Sequence, residues 1–159
     1  MARRQATRAD PLTSEQRRLN MSRIRARDTG PEMVIRRGLH ALGLRYRLHD
    51  RRLPGTPDLV FPGARAIVFV NGCFWHGHEC SLGVTPRSNA AFWSEKIART
   101  QARDREAFQK LESEGWRLAV VWECALRGPV RRPVESVLDD LATFLCSDAE
   151  RGRLDISGE

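Results

Sequence analysis

The stretch "PDLVFPGARAIVFVNGCFWHGHEC", residues 57–80, decides the fold. Its first half holds two β-rich runs, "DLVF" and "AIVFV", joined by "PGAR", and reads as a β-hairpin. Pairing about a turn centred near residue 64 sets Asp58 across from Val70. The Asp58 carboxylate then lies beside the loop "NGCFWHGHEC", which carries Cys73, Cys80, His76, His78 and the aromatic pair Phe74 and Trp75. The preceding "PGTP" reads as a turn in which Pro57 holds Thr56 extended.

Working outward, "DTGPEMVIRRGLHALGL" predicts a helix ahead of the hairpin. Thr29 is its N-cap and Glu32 stands three residues on, at capping-box spacing. Pro31 suits the first turn and Gly43 the stop, with Ile35, Leu39 and Leu42 on one face. "RYRLH" suits a short strand between helix and hairpin. Beyond the loop, residues 88–115 predict a long helix with Phe92, Ile97, Phe108 and Leu111 as its apolar stripe. "WRLAVVWEC" is a buried strand, and "RPVESVLDDLATFLC" a last amphipathic helix. The order α-β-β-β-α-β-α argues for an α/β fold with a mixed central sheet flanked by helices. The expected organisation is a basic arm over 1–28, a domain over 29–146 and a flexible tail over 147–159.

The net charge of +7 is unevenly spread. Residues 1–60 hold 14 Arg against 6 acidic residues, whereas the rest holds 13 basic against 14 acidic. A basic first part suits a polyanion, most often nucleic acid. No run approaches the roughly 20 apolar residues of a membrane span. The basic N-terminus lacks the apolar segment of a secretory signal, so the expected compartment is the cytoplasm and no membrane partner is expected. In that reducing setting, the four cysteines point to metal more than to disulfides.

Cys73, His78 and Cys80 share one loop, and Cys124 ends a strand that can lie beside "AIVFV". Together they make a Cys3His set suited to tetrahedral zinc. His76 is the competing imidazole. Cys146 is the competing thiol, but it follows an apolar stripe and reads as buried packing. The P-C-x-x-C half of a zinc deaminase signature is absent. Asp58 and Glu32, with a backbone carbonyl, offer hard oxygen ligands for Mg²⁺, although Glu32 also has the capping role. Phe74, Trp75 and Trp93 do not follow a periodic core face. They suit wedging between base pairs, with packing over the metal loop as the alternative.

"NMSRIRARDTGPE", "TPDLVF", "GCFWHGHEC", "FWSEKI" and "GWRLAVVWECALRG", in this order over residues 18–128, resemble the very short patch repair (Vsr) endonucleases of bacteria. The resemblance implies a restriction-endonuclease-like fold with a zinc-stabilised loop. It implies an Mg²⁺-dependent monomer that nicks one DNA strand 5′ of the thymine of a T:G mismatch, the product of 5-methylcytosine deamination. Functional coupling to mismatch-repair proteins and to a cytosine methyltransferase is implied with it. By position, Asp58 would bind Mg²⁺ with the carbonyl of Val70, His76 would be the acid/base, and Glu32 a nearby acid. Cys73, His78, Cys80 and Cys124 would hold zinc. Phe74, Trp75 and Trp93 would intercalate, and the arm would clasp the duplex. Two positions depart from the family pattern: Asn71 stands in place of a His, and Gly77 interrupts a longer His run. The acid-x-Lys half of the usual nuclease motif is missing, since Val68, Phe69 and Val70 occupy that strand. Two other readings stay open: a nuclease of this fold with another DNA target, and a non-catalytic zinc-stabilised DNA-binding module.

Overall fold

The computed structural model describes residues 13, 15–16, 18–19, 27–149 and 152–158. The expected arm over 1–28 falls almost wholly outside the described residues. Helix α1 (Gly30–Ala41) leads to β1 (Arg47–Leu48), β2 (Leu59–Phe61) and β3 (Ala66–Asn71). Then follow α2 (Ala90–Ser113), β4 (Arg117–Trp122), α3 (Glu123–Leu126), α4 (Val134–Cys146) and β5 (Arg153–Ile156). The five strands lie in the order β1-β2-β3-β4-β5. The first three pair antiparallel, and β3, β4 and β5 run parallel, so the sheet is mixed.

Alternation along the strands makes the layers. Leu59, Phe61, Ala66, Val68, Ala119 and Val121 point to one face, where Ile35 and Leu39 of α1 and Val137, Leu141 and Leu145 of α4 cover them. Val60, Ile67, Phe69, Leu118 and Val120 point to the other, under Phe108 and Leu111 of α2. Burial on both faces explains the near-continuous apolar runs of β3 and β4. Each such side chain contributes roughly 1.5–3 kcal/mol, so these two strands anchor the sheet while the exposed pair of β1 adds little. Gly38 sets the approach of α1 to α4: a Cβ there would collide with the Leu138 side chain.

Arg117, 3% exposed, is a buried cation that the sequence reading left within an apolar strand. Its guanidinium donates to the carbonyls of Ala64, Phe144 and Leu145 and to Ser147 Oγ. It thus ties the β2–β3 turn to the C-terminal end of α4, where free carbonyls favour a cation.

Several expectations need correction. Residues 153–156, assigned to a flexible tail, form β5 beside β4, and Ile156 enters the core. The signal was weak because only Ile156 of that strand is buried. Cys146, read as buried packing, is exposed at the last position of α4, off the Val137, Leu141 and Leu145 stripe. Leu42 is the C-cap of α1 and is exposed. Thr56 is not extended: it takes φ +50°, with its N–H closing a turn onto the Leu53 carbonyl. On α2 the stripe holds at Ile97, Phe108 and Leu111, which are buried, but Phe92 is 56% exposed and Trp93, 7% exposed, takes its place.

Candidate active site

The hairpin brings Asp58 to the end of β3. The register pairs Leu59 with Val68, one residue from the expected pairing, and the Asp58 side chain closes the gap. Its Oδ2 accepts the Val70 N–H at 2.7 Å, while among the described residues no hydrogen bond reaches Oδ1. Burial pushes the Asp58 pKa up to about 6. The Val70 N–H pulls it down, the Glu32 carboxylate pushes it up, and His49 and His76 pull it down. A carboxylate held in this way, with one oxygen pinned and its charge poorly compensated, is suited to a divalent cation.

Glu32 lies beside it. Its burial to 2% exposure is unusual for a carboxylate at a helix start. Thr29 caps the helix as expected, but the Glu32 carboxylate reaches back to Asp28 rather than to the N-cap N–H of Thr29. The Glu32 N–H donates to Thr29 Oγ1, and Glu32 Oε2 accepts the N–H of Asp28. Glu32 Oε1 faces His49 Nε2 at 3.1 Å. His49, which sequence reasoning missed, stands between the two carboxylates, with Nδ1 3.9 Å from Asp58 Oδ1. Its N–H donates to the Asp58 carbonyl, continuing the β1–β2 pairing. That pairing is the only signal for it, because "RYRLH" reads simply as strand.

His76 sits in the loop after β3, its N–H donating to the Gly72 carbonyl. Its Nδ1 is 2.6 Å from Asp104 Oδ2 on α2. With Nδ1–H donated to that carboxylate, Nε2 is left as an acceptor, the tautomer of a general base. Asp104 was also missed. The signal for it was the spacing Trp93, Ile97, Gln101, Asp104, one helix face. Gln101 Nε2 donates to the carbonyls of His76 and Gly77 and fixes the loop on that face. Gly77 has φ +63°, and a Cβ there would meet Gln101 Nε2 at 2.5 Å. The residue that interrupts the His run is therefore required by the packing of the loop.

Cys73, His78, Cys80 and Cys124 converge, each offering a ligand atom within 4.8 Å of the others. The parallel pairing Asn71–Trp122 brings the ends of β3 and β4 level, which delivers Cys124 to the loop. The Cys124 N–H donates to Cys73 Sγ, and the Gly158 N–H donates to Cys124 Sγ. Glu123 Oε2 accepts the Cys73 N–H, and His78 stacks on Trp122 at 4.4 Å between ring centroids. Burial pushes the Cys73 thiol well above the usual range. At Cys80 burial also raises the pKa, but the backbone at Leu82 and Gly83 and the neighbouring thiols outweigh it, so the net direction is down. Three thiols and an imidazole at this separation suit a tetrahedral ion of zinc type.

Phe74, Trp75 and Trp93 are brought into one edge-to-face cluster. Phe74 lies 5.0 Å from Trp75 and 5.1 Å from Trp93, and the two indoles are 6.1 Å apart. Phe92 joins at 5.2 Å from Trp93, and the Lys96 ammonium lies over Trp75, Trp93 and Phe92. Trp93 is the buried base of this cluster, while Phe74 and Trp75 are half-buried.

A family model described as DNA mismatch endonuclease Vsr matches residues 9–82. DNA mismatch endonuclease Vsr of Escherichia coli (strain K12) is 38% identical over 150 residues, covering 94% of this chain and 96% of the relative. This chain belongs to the Vsr family of DNA mismatch endonucleases. It is a hydrolase acting on DNA, and its mixed sheet is consistent with the restriction-endonuclease-like fold expected from the resemblance. The Type II nicking enzyme V.XorIIP of Xanthomonas oryzae pv. oryzae is 47% identical over 132 residues, covering 82% of this chain and 97% of the relative. The Type II nicking enzyme V.NmeAIP of Neisseria meningitidis is 42% identical over 118 residues, covering 74% and 84%. Among the described residues no helix is long and apolar enough to cross a membrane.

Proposed function

We propose that this endonuclease nicks one strand of duplex DNA 5′ of the thymine of a T:G mismatch, starting very short patch repair of deaminated 5-methylcytosine. The observation that carries it is the pairing of two chemistries at one sheet edge: Asp58, pinned by the Val70 N–H, and His76, oriented by Asp104. Asp58 Oδ1 and the carbonyl of Val70 would hold Mg²⁺, which when bound supplies charge neutralisation at the phosphoryl oxygens. His76 Nε2 takes a proton from water or returns one to the leaving oxygen, and Asp104 stabilises the imidazolium that forms. Glu32 would be the nearby active-site acid, with His49 between it and Asp58. Zinc on Cys73, His78, Cys80 and Cys124 would fix the loop that presents His76. Phe74 and Trp75 would enter the base stack beside the mismatch, with Trp93 as their support and the N-terminal arm against the backbone.

In this reading the protein acts as a monomer on chromosomal DNA in the cytoplasm. It is coupled in function to mismatch-repair proteins and to a DNA cytosine methyltransferase. A second reading, the same nick at another mismatch or sequence, draws on the name Type II nicking enzyme carried by the Xanthomonas relative. End-labelled duplexes, one with a single T:G mismatch in a cytosine-methylation context and one fully paired, test both with Mg²⁺ and with Asp58→Ala. The proposal expects a nick 5′ of the mismatched thymine that the variant lacks. Cleavage confined to other mismatches would favour the second reading. Binding without cleavage of any duplex would sink the catalytic roles.

A further inference from the structure

We propose that the segment behind β5 is a latch on the thiol cluster: the Gly158 N–H holds the Cys124 sulfur, so that retention of zinc depends on the docking of β5. The inference rests on the reading of Cys73, His78, Cys80 and Cys124 as a zinc centre. A coordinating thiol is deprotonated, so three thiolates and a neutral imidazole leave a dication with one excess negative charge. Buried sulfur charge of that kind needs N–H donors. The Cys124 N–H donates to Cys73 Sγ at 3.3 Å. The backbone at Leu82 and Gly83 serves Cys80. Those donors belong to the two chain segments that carry the cluster. Cys124 Sγ instead takes the Gly158 N–H at 3.3 Å, from 34 residues further along the chain. Its other neighbour, His78 Nδ1 at 3.7 Å, belongs to a fellow ligand.

The fold builds the path to that contact. β5 runs parallel to β4, and the pairing of Val121 with Ile156 brings the chain level with the strand end that carries Cys124. Ile156 is 1% exposed and shares a core with Ala119, Val121 and Ala125, so it anchors the segment two residues before Gly158. The contact leaves no room for a side chain. A Cβ on Gly158 would stand 2.5 Å from the Val130 carbonyl oxygen and 2.7 Å from that of Cys124. Both are backbone atoms and cannot swing aside. A Cβ on Gly152, at the start of the same segment, would meet only Phe144, at 3.8 Å. Close approach is thus required at Gly158 alone of the two, where the N–H reaches sulfur. Groups that hydrogen-bond to metal ligands hold those ligands in orientation, and losing one weakens metal binding by roughly 10- to 100-fold. The loop from Cys73 to Cys80 also carries His76, so β5 steadies that loop from outside it.

Two measurements on the full chain test the latch: zinc release to an excess of a chelating dye, and the thiolate-to-metal charge-transfer absorption of the Co²⁺-substituted protein. Wild type, Gly158→Pro, Gly158→Ala and Gly152→Ala are compared, with melting temperature measured in parallel. Gly158→Pro removes the N–H and is expected to release zinc about tenfold faster or more. Its charge-transfer band is expected to move to lower energy, because a sulfur stripped of a donor gives up electron density more easily. Gly158→Ala keeps the N–H but forces it away from sulfur, so both effects are expected in the same direction and smaller. It carries the test alone if Gly158→Pro does not fold. Gly152→Ala is expected to match wild type. Wild-type release and an unmoved band in the folded Gly158 variants would overturn the proposal. So would faster release with an unmoved band, or equal acceleration in Gly152→Ala, since either would assign the effect to packing of the segment. A wild type that holds zinc firmly while the Gly158 variants change nothing removes the latch alone. A wild type that holds neither Zn²⁺ nor Co²⁺ at the cluster removes the zinc reading, and the latch with it.

Discussion

Two clusters of metal-capable side chains stand at one end of β3 and differ in almost every respect. The Cys73, His78, Cys80 and Cys124 cluster is soft, complete in ligand number and tied by N–H donors from Cys124 and Gly158. The cluster around Asp58 is hard, with one oxygen held by the Val70 N–H and the other turned toward His49. A closed set of four suits a structural ion, and an open set suits a catalytic one. One hairpin supplies both, since Asp58 bonds to Val70 and Cys73 is only three residues further on. The lesson is that the rigidity of the first cluster can be passed to the second over a single turn of chain.

The contrast makes distinct demands on mutants. Asp58→Ala should lower nicking by about 10³-fold, roughly 4 kcal/mol of transition-state stabilisation, with zinc content and melting temperature close to wild type. A parallel fall in zinc content would show that the two clusters are one. Cys124→Ala should do the reverse: zinc is lost and urea denaturation reports a stability loss on the order of 3–4 kcal/mol, with activity falling only as the loop unfolds. Unchanged stability would remove the structural role.

The open cluster should also cost stability in the absence of metal. The folded-state pKa of Asp58 is raised from 3.8 to about 6, so the folded state binds the proton more tightly than the unfolded chain. Stability is therefore lost as pH rises from about 4 to about 6, and the loss is complete above that window. Asp58→Asn, which keeps an acceptor for the Val70 N–H, should be more stable than wild type at pH 7.5 by up to about 3 kcal/mol. The gain should be near zero at pH 4, read by urea denaturation of the Mg²⁺-free proteins. A gain of equal size at both pH values would show that the charge is not its source. Asp104→Asn should lower nicking by about 10²-fold, roughly 2.7 kcal/mol, because the His76 tautomer is no longer fixed. Equal pH–rate profiles for variant and wild type would remove that positioning role.

What could be read from the sequence was local. The hairpin register came out within one residue because the "PGAR" turn and the two β-rich runs lie together. The four residues of the thiol cluster were legible because three share one loop and the fourth ends an unmistakable buried strand. His49 and Arg117 were not legible, because their partners come from other elements and no local pattern marks them; the helix-face spacing marks Asp104 but does not show that His76 is its partner. The orientation of Trp93 failed for a related reason. Adjacent apolar residues at a helix start leave the phase of the stripe open, and only Phe74 and Trp75, from another element, decide it. Glu32 was read as either a cap or a site residue, and its carboxylate reaches back to Asp28 with one oxygen and faces His49 with the other.

The ring cluster has an optical consequence. Two indoles 6.1 Å apart and inclined at 65°, with Phe74 wedged edge-on to both, form a fixed chiral array of coupled transition dipoles. Such an array adds a coupled contribution to the circular dichroism beyond what each tryptophan gives alone. The protein thus carries its own label on the side chains proposed to enter DNA, and separating Trp75 from Trp93 would remove the coupled contribution without any added dye.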